Sequence, residues 1–150
     1  IRSDGERATL RGAMTLYDDF YDPSRNQANK GAVSPEEALA SCLGGTVYFD
    51  LDASRLDVAA QDVLMELAPC LAQIGESLVV LGHTDERGTT DYNMALGQRR
   101  AEAVARYLTT YGLSPEMIRT LSYGEENPVK RGTSEDAWSA NRRVELAIRY

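Results

Sequence analysis

Histidine is nearly absent from this chain: His83 is the single one. Metal clusters built on several imidazoles are therefore excluded, and every Ser–His–Asp or Cys–His arrangement would have to share one ring. Lysine is scarce too. Lys30 and Lys130 are the two lysines, and the other basic residues are arginines, the better choice for holding a carboxylate in fixed geometry. No run approaches the roughly 18 consecutive apolar residues that a membrane span needs. No basic start followed by an apolar stretch marks a signal peptide. Ile1 is not an initiator methionine, so an export signal or lipid anchor would lie upstream of it. Excess positive charge is also missing: 16 basic against 23 acidic side chains give a net charge of −7. A field of that sign disfavours non-specific binding to nucleic acid or anionic lipid. No nucleic-acid partner is expected, and membrane contact only through an anchor outside this sequence.

Cysteine is limited to Cys42 and Cys70. A disulfide between them, in an oxidising compartment, and two buried free thiols both fit the sequence. The bridge would contribute roughly 3 to 4 kcal/mol in the chain-entropy picture. Leu39-Ala40-Ser41-Cys42 matches a lipoprotein lipobox. The preceding Val33-Ser34-Pro35-Glu36-Glu37 is polar and acidic where an apolar signal core belongs, so that reading is rejected.

The 150 residues suffice for one domain with a flanking extension. Residues 1–45 read as that extension. Ala8 to Phe20 fits a short helix, Tyr21 to Gly31 a polar linker, and Ser34-Pro35-Glu36-Glu37 the capped start of a second helix. The main domain spans 46–150. Thr46-Val47-Tyr48-Phe49 reads as a strand. Leu56, Ala60, Val63, Leu64, Leu67, Leu71 and Ile74 form a helical stripe, which Pro69 should kink or interrupt and Gly75 end. Ser77 to His83 is a continuous apolar run, the mark of a buried strand. A long helix is expected from about Thr90 to Tyr111, with Ala101, Val104, Ala105 and Leu108 on its buried face. Arg119 to Tyr123 reads as a third strand, Glu125 to Thr133 as a polar loop, Ser134 to Ala140 as a helical turn, and Val144 to Ile148 as the last strand. The expected class is an α/β (α+β) two-layer sandwich, β-α-β-α-β-β, with a small mixed sheet and helices on one face.

The chemistry is concentrated between Gly82 and Ala101. Asp85 follows a strand end, where loop residues on a rigid frame commonly bind ligands. Asn93, Gly97 and Arg100, spaced by four and three, share one stripe of the long helix. Glycine costs about 1 kcal/mol in mid-helix, so Gly97 invites an explanation: a gap between Asn93 and Arg100 in which a small ligand lies against backbone. Arg100 can grip a carboxylate with two parallel hydrogen bonds, and Asp85 can accept from an ammonium. One acid and one base at fixed separation suit a zwitterion. A structural ion pair from Asp85 to Arg100 is equally compatible, and Arg99 reads as a solvated neighbour or a second structural bridge. His83 is expected to be hydrogen-bonded and to shape the turn. Asp50, Asp52 and Asp57 lack the glycine and bidentate glutamate of a calcium loop and read as strand-end and cap residues. Trp138 reads as core or interface.

Thr84-Asp85-x-x-Gly88-x-x-x-x-Asn93-x-x-Leu96-x-x-Arg99-Arg100-Ala101 resembles the signature of the OmpA-like C-terminal domain family. Gly82 to Thr89, Asn93 to Ala101, Tyr123-Gly124-Glu125-Glu126-Asn127-Pro128 and Ala137-Trp138-x-x-Asn141-Arg142-Arg143-Val144 are similar to its peptidoglycan-associated lipoprotein branch. Leu81 departs from it, standing where many members carry an acid. The resemblance covers about 46–150 and implies non-covalent binding of peptidoglycan through the diaminopimelate of the stem peptide. It implies that Asp85 holds the ammonium and Arg100 the carboxylate, with Phe49, Asp50, Thr84, Asn93 and Leu96 as walls. It further implies a periplasmic, outer-membrane-associated protein with peptidoglycan and Tol-system proteins such as TolB as partners. No catalysis, cofactor or metal is expected. The rivals are the wall anchor of a motor stator or other envelope complex, a wall-peptide-processing enzyme using Asp85 or His83 as base, and a module that takes a partner protein's chain end. Asp85→Ala and Arg100→Ala are both expected to abolish wall binding and leave the fold intact.

Overall fold

The computed structural model describes Cys42 and residues 45–149. The expected helices and linker between Ala8 and Glu37 lie outside the described residues. Four strands and three helices alternate: β1 (Thr46–Tyr48), α1 (Val58–Ile74), β2 (Ser77–His83), α2 (Thr90–Thr110), β3 (Ile118–Gly124), α3 (Glu135–Asn141) and β4 (Arg143–Arg149). A 3-10 turn, Pro115–Met117, precedes β3. The sheet order is β1-β4-β2-β3. β2 and β3 run parallel, whereas β4 is antiparallel to both β1 and β2. This is the expected mixed sheet, with α3 as one further helix before the last strand.

One face of the sheet carries the main core. Leu78 and Val80 of β2, Val144, Leu146 and Ile148 of β4, and Val47 of β1 pack with Leu64, Leu67 and Leu71 of α1 and with Ala101, Val104 and Leu108 of α2. The alternate residues Val79, Leu81, Tyr123 and Ala147 form a second cluster on the opposite face. Both faces of β2 are thus buried, which is why its sequence is continuously apolar rather than alternating. The second face also buries charge. Arg143 Nε donates to Glu145 Oε2 at 2.6 Å, and His83 Nε2 stands 3.6 Å from Glu145 Oε1. The His83 ring stacks on Tyr123, with centroids 5.4 Å apart. His83 was expected at the turn as a hydrogen-bonded ring; its side chain instead belongs to this buried cluster.

Three helix starts follow local chemistry. Asp57, Thr89 and Ser134 each accept a backbone N–H from the first turn of α1, α2 and α3. Gly75 ends α1 in the left-handed conformation, φ 71°.

Pro69 does not interrupt α1, which runs unbroken from Val58 to Ile74. Its ring points to solvent, and the helix bond it removes belongs to the carbonyl of Met65, itself an exposed residue, so water can replace the missing donor. Val63, expected on the buried stripe, is 38 % exposed, and Ala68 is buried in its place. Ala105 is only half-buried. Cys42 and Cys70 form a disulfide, with Cα atoms 5.9 Å apart, that ties the chain before β1 to α1. Cys42 therefore has no free thiol to carry a lipid.

Candidate functional site

β2 and β3 lose their common register between Gly82 and His83. Such irregularities re-aim the chain that follows. Here they turn Thr84 and Asp85 off the end of the sheet toward the start of α2. Thr84 is fixed from both sides: its N–H donates to the Gly124 carbonyl at 2.8 Å, and its hydroxyl donates to the Asp85 carbonyl at 2.9 Å. Asn93, in the first turn of α2, spans the same loop. Its amide donates to the carbonyls of Asp85 and Arg87, and to Glu125 Oε1 at 2.7 Å. Leu96 is buried one turn further along.

The sequence left two readings of Asp85 and Arg100 open, ligand pair or mutual ion pair. The structure has a different arrangement. Arg100 is fully buried and points at backbone. Nε donates to the Ala53 carbonyl at 2.7 Å, Nη1 to that of His83 at 2.9 Å and Nη2 to that of Asp50 at 2.9 Å. The Phe49 ring lies beside the guanidinium, 5.2 Å from its carbon. Arg100 thus closes the β1–α1 loop onto the end of β2. Burial lowers its pKa to about 10, with the Asp85 charge opposing the shift, so it stays cationic at neutral pH.

Asp85 is 4 % exposed and is held by Arg87. Its Oδ1 accepts from the backbone N–H and Nε of Arg87 at 3.0 and 3.3 Å, and its Oδ2 from Nη2 at 2.9 Å. Arg142 Nη1 lies 3.6 Å from Oδ2. That nitrogen is buried and without a hydrogen-bond partner. Its sister nitrogens donate to the Phe49 carbonyl at 2.8 Å and to Glu135 at 2.9 Å. Burial works to raise the Asp85 pKa, but the hydrogen bonds and charge of Arg87 outweigh it and hold the carboxyl below its usual range.

Arg87 is the solvent-facing member of the set, with a third of its side chain exposed. Its guanidinium carbon sits 3.8 Å from the centre of the Trp138 ring, and Trp138 Nε1 donates to Glu86 at 2.8 Å. Trp138 is therefore a stacking platform, contrary to the core or interface role expected of it. Arg99 is exposed beside Tyr92, as a solvated neighbour should be.

The gap expected at Gly97 does not exist. A Cβ there would overlap the Ser122 hydroxyl and lie 3.1 Å from the Gly82 carbonyl; a Cβ on Gly82 would overlap the Gly97 carbonyl. The two glycines let α2 lie directly on β2, which leaves no room for a ligand between them.

Phe49, Asp50, Thr84, Asp85, Asn93, Leu96 and Arg100 are nonetheless brought to the same end of the sheet by β1, β2 and α2. Two clefts are lined by neighbours of Asp85 rather than by Asp85 itself. Its neighbours Thr84 and Glu86 line one of about 350 Å³, shared with Glu125, Lys130 and Arg131. Arg142 lines the other, of about 420 Å³, with Phe49, Asp50 and Asp57. Sequence reasoning missed Arg87, Arg142 and Trp138 as members of the site. Their signals were there, in Asp85-Glu86-Arg87 and in Asn141-Arg142-Arg143, but adjacency in the chain did not reveal which groups face Asp85.

Residues 48–142 match the OmpA family. A peptidoglycan-associated lipoprotein of Pseudomonas aeruginosa is 50% identical over 123 residues, covering 79% of this chain and 72% of its own length. The crystal structure of the peptidoglycan-associated lipoprotein from Burkholderia pseudomallei is 38% identical, with a TM-score of 0.69, covering 77% of this chain and 97% of that one. The cell wall anchor of the T6SS from Pseudomonas aeruginosa is 27% identical, with a TM-score of 0.60, covering 70% of this chain and 80% of that one. With its mixed four-stranded sheet, its Thr84-Asp85 loop and its Arg99-Arg100-Ala101 helix, this chain belongs to the OmpA family.

Proposed function

We propose that this protein binds peptidoglycan non-covalently through the diaminopimelate of the stem peptide and so tethers the outer membrane to the cell wall. The observation that carries the proposal is a carboxylate, Asp85, buried at a strand end with guanidinium groups around it. A free amino-acid end supplies both an ammonium for the acid and a carboxylate for the bases. Asp85 takes the ammonium and Arg100 the carboxylate, with Phe49, Asp50, Thr84, Asn93 and Leu96 as the surrounding walls. An arginine has five N–H donors, so Arg100 can keep its three carbonyl bonds and still donate to a ligand. Both charged groups are closed off in this structure, so the β1–α1 loop and the Arg87 side chain must give way for a ligand to enter. Residues 46–150 are the wall-binding unit, and 1–45 an extension from it.

Identity of 50% to a peptidoglycan-associated lipoprotein favours the outer-membrane tether over the anchor of a stator or other complex. The disulfide supports an oxidising compartment such as the periplasm. Tol-system proteins such as TolB are the partners this placement implies. The domain performs no chemistry on the wall, so incubation with purified muropeptides yields no new products. The test is sedimentation with diaminopimelate-type peptidoglycan. Wild type co-sediments and free meso-diaminopimelate releases it; lysine, which lacks the distal carboxylate, does not. Asp85→Asn stays in the supernatant. Co-sedimentation of Asp85→Asn at the wild-type level would refute the site.

A further inference from the structure

Both oxygens of Asp85 are already occupied by one residue. Arg87 delivers a backbone N–H and Nε to Oδ1 and Nη2 to Oδ2. An ammonium approaching Oδ2 meets the Nη2 group already bonded there, since the other cation near that oxygen, Arg142, is buried. The guanidinium also forms the outer layer of the site: Asp85 is 4 % exposed beneath it, while a third of the Arg87 side chain meets solvent. Arg142 behind it is buried and bound to the Phe49 carbonyl and Glu135. Arg100 is buried and bound to three carbonyls. Of the three guanidiniums near Asp85, Arg87 is the one that can leave without breaking the fold.

It also has somewhere to stay. The guanidinium carbon lies over the Trp138 ring, 3.8 Å from its centre, and the indole is itself held by Glu86. A cation on an aromatic face retains part of its stabilisation after its carboxylate partner is lost. Two features of the acid survive the departure. The Arg87 backbone N–H still donates to Oδ1, and Arg142 Nη1 still faces Oδ2 at 3.6 Å. Asp85 thus keeps two partners that hold it in place for the next cation.

Taking Asp85 as the ammonium site, as proposed above, we infer that Arg87 is a built-in competitor for the ligand: its guanidinium occupies the ammonium position of the empty site and must be displaced before diaminopimelate binds. The affinity of the site is thus the difference between two cations on one carboxylate. Arg87 also shields Asp85 against weaker cations, so it sets selectivity for a ligand whose own carboxylate repays the exchange.

The experiment is calorimetric titration of the full chain with a meso-diaminopimelate tripeptide muropeptide, using wild type, Arg87→Gln, Arg87→Lys and Asp85→Asn. An ion pair that is partly exposed contributes modestly, so Arg87→Gln should bind about two- to fivefold more tightly than wild type. Arg87→Lys, which keeps a competing cation, should bind within about twofold of wild type. Binding by Arg87→Gln equal to or weaker than wild type overturns the inference, as does equal tightening by both variants, which would show that charge is not the cause. Full binding by Asp85→Asn would instead sink the underlying assignment of Asp85, so the two failures are distinguishable.

Discussion

Arg100 joins three carbonyls that the chain brings from distant places: Asp50 and Ala53 in the β1–α1 loop, and His83 at the end of β2. Removing it strips those bonds from a fully buried position and leaves a cavity. Arg100→Ala should therefore lose about 2 to 4 kcal/mol in urea unfolding, where the sequence alone suggested an intact fold. A loss below about 0.5 kcal/mol would show that the clamp is dispensable. Asp85 is thus the cleaner probe of binding. His83 makes the second residue-scale prediction. Burial lowers its pKa below 6.5, against the opposing influence of Glu145 and with help from the Arg143 charge. Below pH 6.5 the unfolded chain takes up a proton that the folded chain refuses, so stability falls as pH drops through that point. Asp85 and Glu145, both held below their usual range, add to the loss only at lower pH, below about 4. Stability from pH 6.5 to 5 should fall by up to about 1.4 kcal/mol per unit, and His83→Gln should flatten that slope. An unchanged slope in the variant would exclude His83 as its source. Asp85 and Arg100 were legible as functional candidates because the motif spacing fixes their types. Their partners were not, since Arg87 is two residues from Asp85 in a loop whose turn decides where its side chain points.

At the scale of elements, the contact of α2 with β2 is what fixes the site. Gly82 and Gly97 face each other: a Cβ on Gly82 would overlap the Gly97 carbonyl, and one on Gly97 would overlap the Ser122 hydroxyl and crowd the Gly82 carbonyl. Gly82→Ala should destabilise by at least about 2 kcal/mol, since overlap with backbone cannot be relieved by a rotamer change. A variant as stable as wild type, judged by thermal unfolding, would mean the two elements can separate without cost. A helical glycine has two readings, access or close approach, and only the glycine opposite distinguishes them. Sequence pattern located α2 and β2 well because each is long and strongly patterned. It failed at Pro69, an exposed residue that the helix runs through unbroken. It failed at Trp138, whose ring finds Arg87 from more than fifty positions away in the chain. The disulfide between Cys42 and Cys70 stood as one of two alternatives, and the structure decides it. Closing a loop of 28 residues, it contributes about 3 to 4 kcal/mol in the chain-entropy picture.

The whole molecule carries a net charge of −7, yet at the end of its sheet Arg87, Arg100 and Arg142 gather around Asp85. The global field discourages polyanions, while under the proposed function the local cluster would take a carboxylate that arrives with its own ammonium. The direct measurement is calorimetric titration of the full chain with two tripeptide muropeptides that differ only at the third residue, meso-diaminopimelate or lysine. The account predicts saturable binding of the diaminopimelate form, loss of that binding in Asp85→Asn, and at least about tenfold weaker binding of the lysine form, because one charge-assisted pair is missing. Equal affinity for the two muropeptides would contradict it.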